Sequence, residues 1–231
     1  MKKRSRNIIA LFLISIIVVF NITKSRTFQF FGTIVSEVAI TEKAVALTFD
    51  DGPTEYTMGI LDTLRAYHIQ ATFFLTGQEI ESHPELAKAI IADGHSIGNH
   101  SFSHQRMLLK SPSFIRHEIE TTDSLIRATG FQQKIYFRPP YCKKLFYLPY
   151  YLGKTNRTTV TWNIEPDSEN GTPDAILKDV QQHIKPGSII LLHAMYKNRD
   201  ATRQALPHII QWLQANGYRF MTVNEIIERK N

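Results

Sequence analysis

From about Ala44 onward, short apolar runs alternate with longer amphipathic stretches. Residues 45–49, 71–75, 135–137, 158–162 and 188–192 are dense in β-branched and aromatic side chains and predict strands. Residues 57–67, 84–92, 113–128, 174–183 and 202–215 lie between them and carry helical spacing. Gly94, Gly130 and Gly217 follow three of these helices, where a positive φ closes the last turn. A repeated strand–helix order implies parallel strands with helices outside, as an α/β barrel or a doubly wound sheet. In barrels of this kind functional groups gather at the C-terminal strand ends.

A different pattern precedes these units. Lys2, Lys3, Arg4 and Arg6 flank an apolar run at residues 8–20, which is the pattern of an export signal with its basic end retained inside. The run is short for a spanning helix and nearer a signal-peptide core in length. No small-residue cleavage site follows, because the next residues are Asn21, Ile22, Thr23, Lys24 and Ser25. The expectation is therefore a signal anchor over residues 1–24, in preference to a cleaved signal peptide. Residues 25–43 read as a linker and 44–231 as one domain, delivered outside the cytoplasm and either membrane-anchored or secreted.

Composition narrows the possibilities. The chain has 231 residues, 43% hydrophobic and 21% charged, enough for one sizeable core. Its net charge of +6 comes from the leader: Lys2, Lys3, Arg4, Arg6, Lys24 and Arg26 precede the first acid, Glu37. The remainder holds 21 basic and 21 acidic residues, so nothing points to nucleic acid as a partner. Cys142 is the only cysteine, which excludes an internal disulfide framework.

Four segments carry candidate chemistry. Asp50 and Asp51 adjoin at the end of the first predicted strand, where like charges need a cation or guanidinium to separate their roles. His100 and His104 stand four apart, a spacing that on a helix would put both imidazoles on one face. With Asp51 they make a two-histidine, one-carboxylate set suited to catalytic zinc or iron. His95 reads as a strand-side histidine. Arg138, Pro139, Pro140 and Tyr141 form a rigid stretch whose arginine fork suits a carboxylate such as Asp50. His193 follows an apolar strand and is available as a general acid.

Taken together, Thr48-Phe49-Asp50-Asp51-Gly52-Pro53, His100-Ser101-Phe102-Ser103-His104 and Arg138-Pro139-Pro140-Tyr141 resemble the polysaccharide deacetylase family (carbohydrate esterase family four, the NodB homology domain), and the likeness runs from about Ala44 to Val223. The resemblance implies a distorted (β/α) barrel, preceded here by the N-terminal hydrophobic segment. It implies metal ligands at Asp51, His100 and His104, a general base at Asp50 and an orienting arginine at Arg138. Tyr141 matches the residue whose backbone N–H helps hold the oxyanion, His193 the general acid, and Leu191 part of an apolar pocket for the acetyl methyl. The implied reaction is metal-dependent removal of N-acetyl groups from N-acetylhexosamine units of peptidoglycan or a chitin-like polymer, with zinc as first choice and cobalt or nickel as others. A monomer acting on an N-acetylated glycan is expected.

Two places depart from the family pattern. Cys142, followed by Lys143 and Lys144, stands where the family usually has glycine. After Trp162 the first acid is Glu165, with Asp167 and Glu169 following and no second tryptophan. Glu165 is expected near His193, raising the imidazole pKa, the alternative being a solvated loop acid in company with Asp167 and Glu169. Other function classes consistent with the sequence are a glycan-binding pseudoenzyme and a metal amidohydrolase acting on a small non-sugar amide.

Overall fold

A computed structural model describes residues 2–169 and 171–229, with backbone only for 2–6 and 8–10. The expected basic leader side chains and the outermost chain ends therefore lie outside the described residues. A helix, α1 (Lys2–Thr23), comes first, followed by β1 (Ile34–Val35), β2 (Ala44–Asp50), α2 (Thr57–Ala66), β3 (Thr72–Leu75), α3 (Gly77–Ser82) and α4 (Pro84–Ala92). Then come β4 (Ser96–Asn99), α5 (Pro112–Ala128), α6 (Tyr147–Lys154), β5 (Thr159–Val160), α7 (Pro173–His183), β6 (Ile189–Leu192), α8 (Asp200–Ala215), β7 (Arg219–Met221) and α9 (Val223–Glu228). Among the described residues no helix is long and apolar enough to cross a membrane.

Among the described residues every strand pair is parallel: a five-stranded sheet in the order β4-β3-β2-β6, with β7 also on β2, and a two-stranded sheet of β1 and β5. Single bridges join the two sheets, Asn99 to Phe137, Phe137 to Thr159 and Ile164 to Ile190. The expected strand at 135–137 is reduced to Phe137 because the prolines at 139 and 140 end its ladder. The expected linker at 25–43 is also built into the fold: β1 pairs with β5, and the Val38 N–H donates to Gly187 O at 2.9 Å.

Every residue of β2 is buried, as a strand covered on both faces must be. Period-two alternation divides its side chains. Val45, Leu47 and Phe49 pack outward among the helices with Phe73, Ile190 and Leu192. Ala44 and Ala46 face an inner cluster with Phe74, Trp162, Leu191 and Met221. Parity thus puts Thr48 and Asp50 on the inner side, and Leu191 and His193 likewise on β6 and its extension. Gly94, Gly130 and Gly217 all have positive φ, as their helix-end positions require.

Candidate active site

Asp50 ends β2, His100 follows β4, Arg138 follows the Phe137 bridge and His193 follows β6. They meet at one end of the sheet, where Asp50, His100 and His193 line a cavity of about 520 Å³ together with Asp51, His104, Tyr141, Trp162, Glu165 and Tyr196, and Arg138 is buried behind Asp50. Backbone strain concentrates at the same place. Asp51 (φ +70°), Ser101 (+66°), His104 (+53°), Tyr141 (+56°) and Cys142 (+57°) all occupy the left-handed region. Non-glycine residues stay there only when their surroundings enforce it.

The enforcement is visible around His100 and His104. They do not share a helix face, as their spacing suggested, because β4 ends at Asn99 and a loop follows. Glu118, buried on α5, accepts the N–H groups of Phe102 (3.0 Å) and Ser103 (2.9 Å) and the Ser103 hydroxyl (2.8 Å). Asn99 Oδ1 accepts the Ser101 N–H at 2.8 Å, and Ser101 Oγ accepts the His104 N–H at 3.2 Å. From α3, the Gly77 N–H donates to Ser101 O at 2.9 Å. A Cβ on Gly77 would lie 2.4 Å from the Phe102 ring, so the approach needs glycine. Glu118 escaped notice in the sequence because an acid on an amphipathic helix looks like an ordinary solvated residue. Glu118→Gln is expected to weaken cation binding about 10–100-fold, read by metal titration of the purified protein.

The loop brings one atom each from Asp51, His100 and His104 within 4.8 Å of one another. His104 Nε2 is 3.3 Å from Asp51 Oδ1, and His100 Nε2 is 3.9 Å from it. His100 Nδ1 lies 2.8 Å from Arg138 O. A carbonyl only accepts, so Nδ1 carries the proton and Nε2 presents its lone pair to the cluster. Burial, then the like charge of His104, lowers the His100 pKa to about 3, leaving the imidazole neutral as a ligand must be. Among the described residues, Asp51 Oδ1 is buried without a hydrogen-bond partner. An orphaned carboxylate oxygen facing two imidazole nitrogens fits a divalent cation with borderline ligands. His95 stands apart; its Nδ1 accepts the Ala71 N–H at 3.2 Å, and burial lowers its pKa to about 4.

Two ion pairs flank the cluster. Arg138, fully buried, donates from Nη1 to Asp50 Oδ1 at 2.6 Å and to Thr48 Oγ1 at 2.9 Å. Its Nη2 donates to Thr161 O at 2.9 Å, and its guanidinium lies 3.9 Å from the Phe74 ring centroid. Burial raises the Asp50 pKa, opposed by the Arg138 charge. Opposite, the His193 N–H donates to Asp167 Oδ2 at 2.6 Å, and His193 Nδ1 is 3.1 Å from Asp167 Oδ1. The Thr202 hydroxyl also donates to Asp167, at 3.1 Å. Burial alone would lower the His193 pKa, but the hydrogen bond and charge of Asp167, aided by Asp50 and Asp51, push it up to about 9.

The partner of His193 is therefore Asp167 and not Glu165. Glu165 Oε2 instead accepts from Trp162 Nε1 at 2.8 Å and pairs with Arg26, while Oε1 accepts from the Ser168 hydroxyl at 2.6 Å. Ile164 bridges Ile190 in parallel, and three residues further along each segment Asp167 lies beside His193. An acid within reach of a strand-end histidine was the available signal, and counting from Trp162 to the first acid misassigned it. Asp167→Asn is expected to lower the alkaline limb of the pH–rate profile, because the imidazole would lose its proton at lower pH. Glu165→Gln should leave that limb in place.

Leu191 and Tyr141 differ in placement. Leu191 is 1% exposed within the inner cluster and does not line the cavity, because β6 carries it below the strand end where His193 emerges. Tyr141 is half exposed at the cavity rim, its ring 4.8 Å from that of His104. The departure at 142–144 has a structural role: buried Lys144 donates from Nζ to Ser25 O, and its N–H to Thr23 O at 3.0 Å, fastening the N-terminal segment beside the cavity.

A family model described as polysaccharide deacetylase matches residues 37–160. The chain is 33% identical over 204 residues to a peptidoglycan-N-acetylglucosamine deacetylase of Bacillus cereus, covering 87% of this chain and 95% of that one. It is 33% identical to a peptidoglycan-N-acetylmuramic acid deacetylase of Bacillus subtilis, covering 82% and 73%. A solved peptidoglycan N-acetylglucosamine deacetylase in complex with a naphthalenyl N-oxidanyl-benzamide superimposes with TM-score 0.79 at 32% identity, over 83% of this chain and 91% of that one. A pseudoenzyme of carbohydrate esterase family four from Bacillus anthracis superimposes with TM-score 0.75 at 28% identity, over 84% and 68%.

Proposed function

Because this chain belongs to the polysaccharide deacetylase family, we propose that it removes N-acetyl groups from N-acetylhexosamine units of a cell-surface or extracellular polysaccharide, releasing acetate. The observation that carries this is the two ion pairs, buried Arg138–Asp50 and Asp167–His193 at the cavity wall, on either side of one cation-competent cluster. The similarity to two peptidoglycan deacetylases favours peptidoglycan over a chitin-like polymer as the glycan.

A divalent cation on Asp51, His100 and His104, zinc by preference and cobalt or nickel as alternatives, would supply a Lewis acid beside the acetamide carbonyl. Asp50 takes the proton of the attacking water; Arg138 fixes its orientation, and burial makes it a stronger base than a solvated aspartate. His193, protonated through neutral pH by Asp167, gives its proton to the departing amine nitrogen. Tyr141, held at φ +56° on the rim, is the residue whose backbone N–H we assign to the developing oxyanion. In this reading the single bridges at Phe137 and Ile164 complete a distorted barrel. Likewise α1 is the membrane attachment of a domain working outside the cytoplasm.

The likeness to a pseudoenzyme means that shape alone does not confer turnover. What favours turnover is that base, acid and their buried partners are all present. Acetate release should be measured across peptidoglycan, chitin oligomers and other N-acetylated glycans. The proposal expects release from at least one, with a free amine appearing in the sugar; binding without release from any would favour the pseudoenzyme.

A further inference from the structure

Five aromatic rings lie on the outside of the domain next to α1. Phe28, Phe30, Phe31, Phe146 and Tyr150 are 38–52% exposed. They form two ring clusters joined through the adjacent residues Phe30 and Phe31: Phe28 and Phe30 meet at 5.5 Å between ring centroids, Phe30 and Phe146 at 4.7 Å, and Phe31 and Tyr150 at 5.8 Å. Scattered exposed hydrophobics need no explanation, but a contiguous aromatic patch does.

The patch is built and not frayed. Gln29, between Phe28 and Phe30, is buried, and its Nε2 donates to Phe31 O at 2.7 Å and Thr33 O at 3.2 Å. Gly32, at φ +71°, packs against Gly153 of α6 so closely that a Cβ on either would lie 3.0 Å from the other's Cα. Backbone contact thus locks the 28–33 loop onto the helix carrying Tyr150.

Three further observations indicate what covers the patch. It continues into α1: Lys143 and Lys24 both lie over the Phe20 ring, at 4.8 and 5.1 Å. The large apolar side chains of α1 between residues 11 and 20 are themselves 39–67% exposed, so nothing among the described residues buries them. A helix apolar all round requires an apolar environment. The run at residues 8–20 would be about 20 Å long at 1.5 Å per residue, short of a hydrocarbon core of about 30 Å. Finally, the two segments that build the face, 20–33 and 141–154, contain no acid, and besides the buried Lys144 and the Glu165-paired Arg26 they carry Lys24, Lys143 and Lys154. Aromatic rings on segments that carry lysines and no acid, beside a short apolar helix, match the interfacial layer of an anionic bilayer.

We propose that the face formed by Phe28, Phe30, Phe31, Phe146 and Tyr150 docks the catalytic domain onto a membrane bearing anionic headgroups, independently of the insertion of α1. Lys24, Arg26 and Lys143 also line the catalytic cavity. Docking therefore opens the cleft at the headgroup layer, where it meets glycan lying against the membrane; this consequence rests on the deacetylase reading, whereas the docking itself does not.

The test uses the full chain and vesicles of phosphatidylcholine with phosphatidylglycerol. Ile14→Asp with Ile17→Asp removes the apolar character of α1. Co-sedimentation of this variant with the vesicles is expected to persist, and adding Phe28→Ser, Phe30→Ser and Phe146→Ser should weaken it by about tenfold or more. Vesicle binding indifferent to the three substitutions would overturn the proposal, as would a loss confined to glycan binding or to self-association. Should the combined variant fail to fold, Phe30→Trp in the otherwise unaltered chain gives a second reading. Brominated lipids should quench its added emission, and an unquenched residue 30 rejects docking. Acetate release from a soluble N-acetylated oligomer, followed in parallel, shows separately whether the deacetylase reading stands.

Discussion

Asp50→Asn is expected to reduce deacetylation by about 10²–10⁴-fold while the protein binds its cation as before. Asp50 sits on the inner face of β2 by strand parity, and Arg138 Nη1 holds its Oδ1 at 2.6 Å. Its other oxygen is 3.5 Å from His100 Nε2, close enough to meet a water bound between them. Asparagine keeps the shape and loses the basic lone pair. Metal content and rate, measured on the same preparation, separate the two roles. A variant that loses the cation along with its activity would make Asp50 a ligand and remove the assigned base.

His104→Ala has the second large effect, and of the opposite kind. It should lose cation and activity together, because two remaining ligands hold a divalent ion poorly compared with three. His104 is the least enclosed of the three, with 23% of its side chain exposed against 3–4% for His100 and Asp51, so alanine there opens the smallest cavity. Unchanged thermal stability together with lost metal would place the defect in ligation. Full activity with metal retained would disqualify the cluster.

Much of this architecture could be read from the chain because local pattern and tertiary role agreed. β2, α4 and α7 carry clear periodicities, and the polar residues at strand ends were visible as interruptions of apolar runs. What failed shares one cause, the dominance of tertiary contacts over local signal. Ser96–Asn99 contains a glycine and two polar residues, yet becomes a strand because β3 pairs with it and the Phe74 ring fills the space over Gly98. The His100–His104 spacing suggested a helix, yet Glu118, far along the chain, holds it as a strained loop. Asp167 and Glu165 cannot be ranked by sequence, since their roles depend on the Ile164–Ile190 bridge, which sets the register between their segment and the end of β6. The 25–43 stretch lacks a strong strand pattern, and its place is set by pairing with residues more than a hundred positions away.

The central claim, that Asp51, His100 and His104 form the cation site of a working polysaccharide deacetylase, is tested most directly by titrating zinc into metal-stripped full-length protein. Bound zinc and acetate released from N-acetylated peptidoglycan are followed together. Acetate release should rise in step with zinc bound and level off at one equivalent. Zinc binding at one equivalent without acetate from any N-acetylated glycan, or acetate release indifferent to zinc removal, would contradict it.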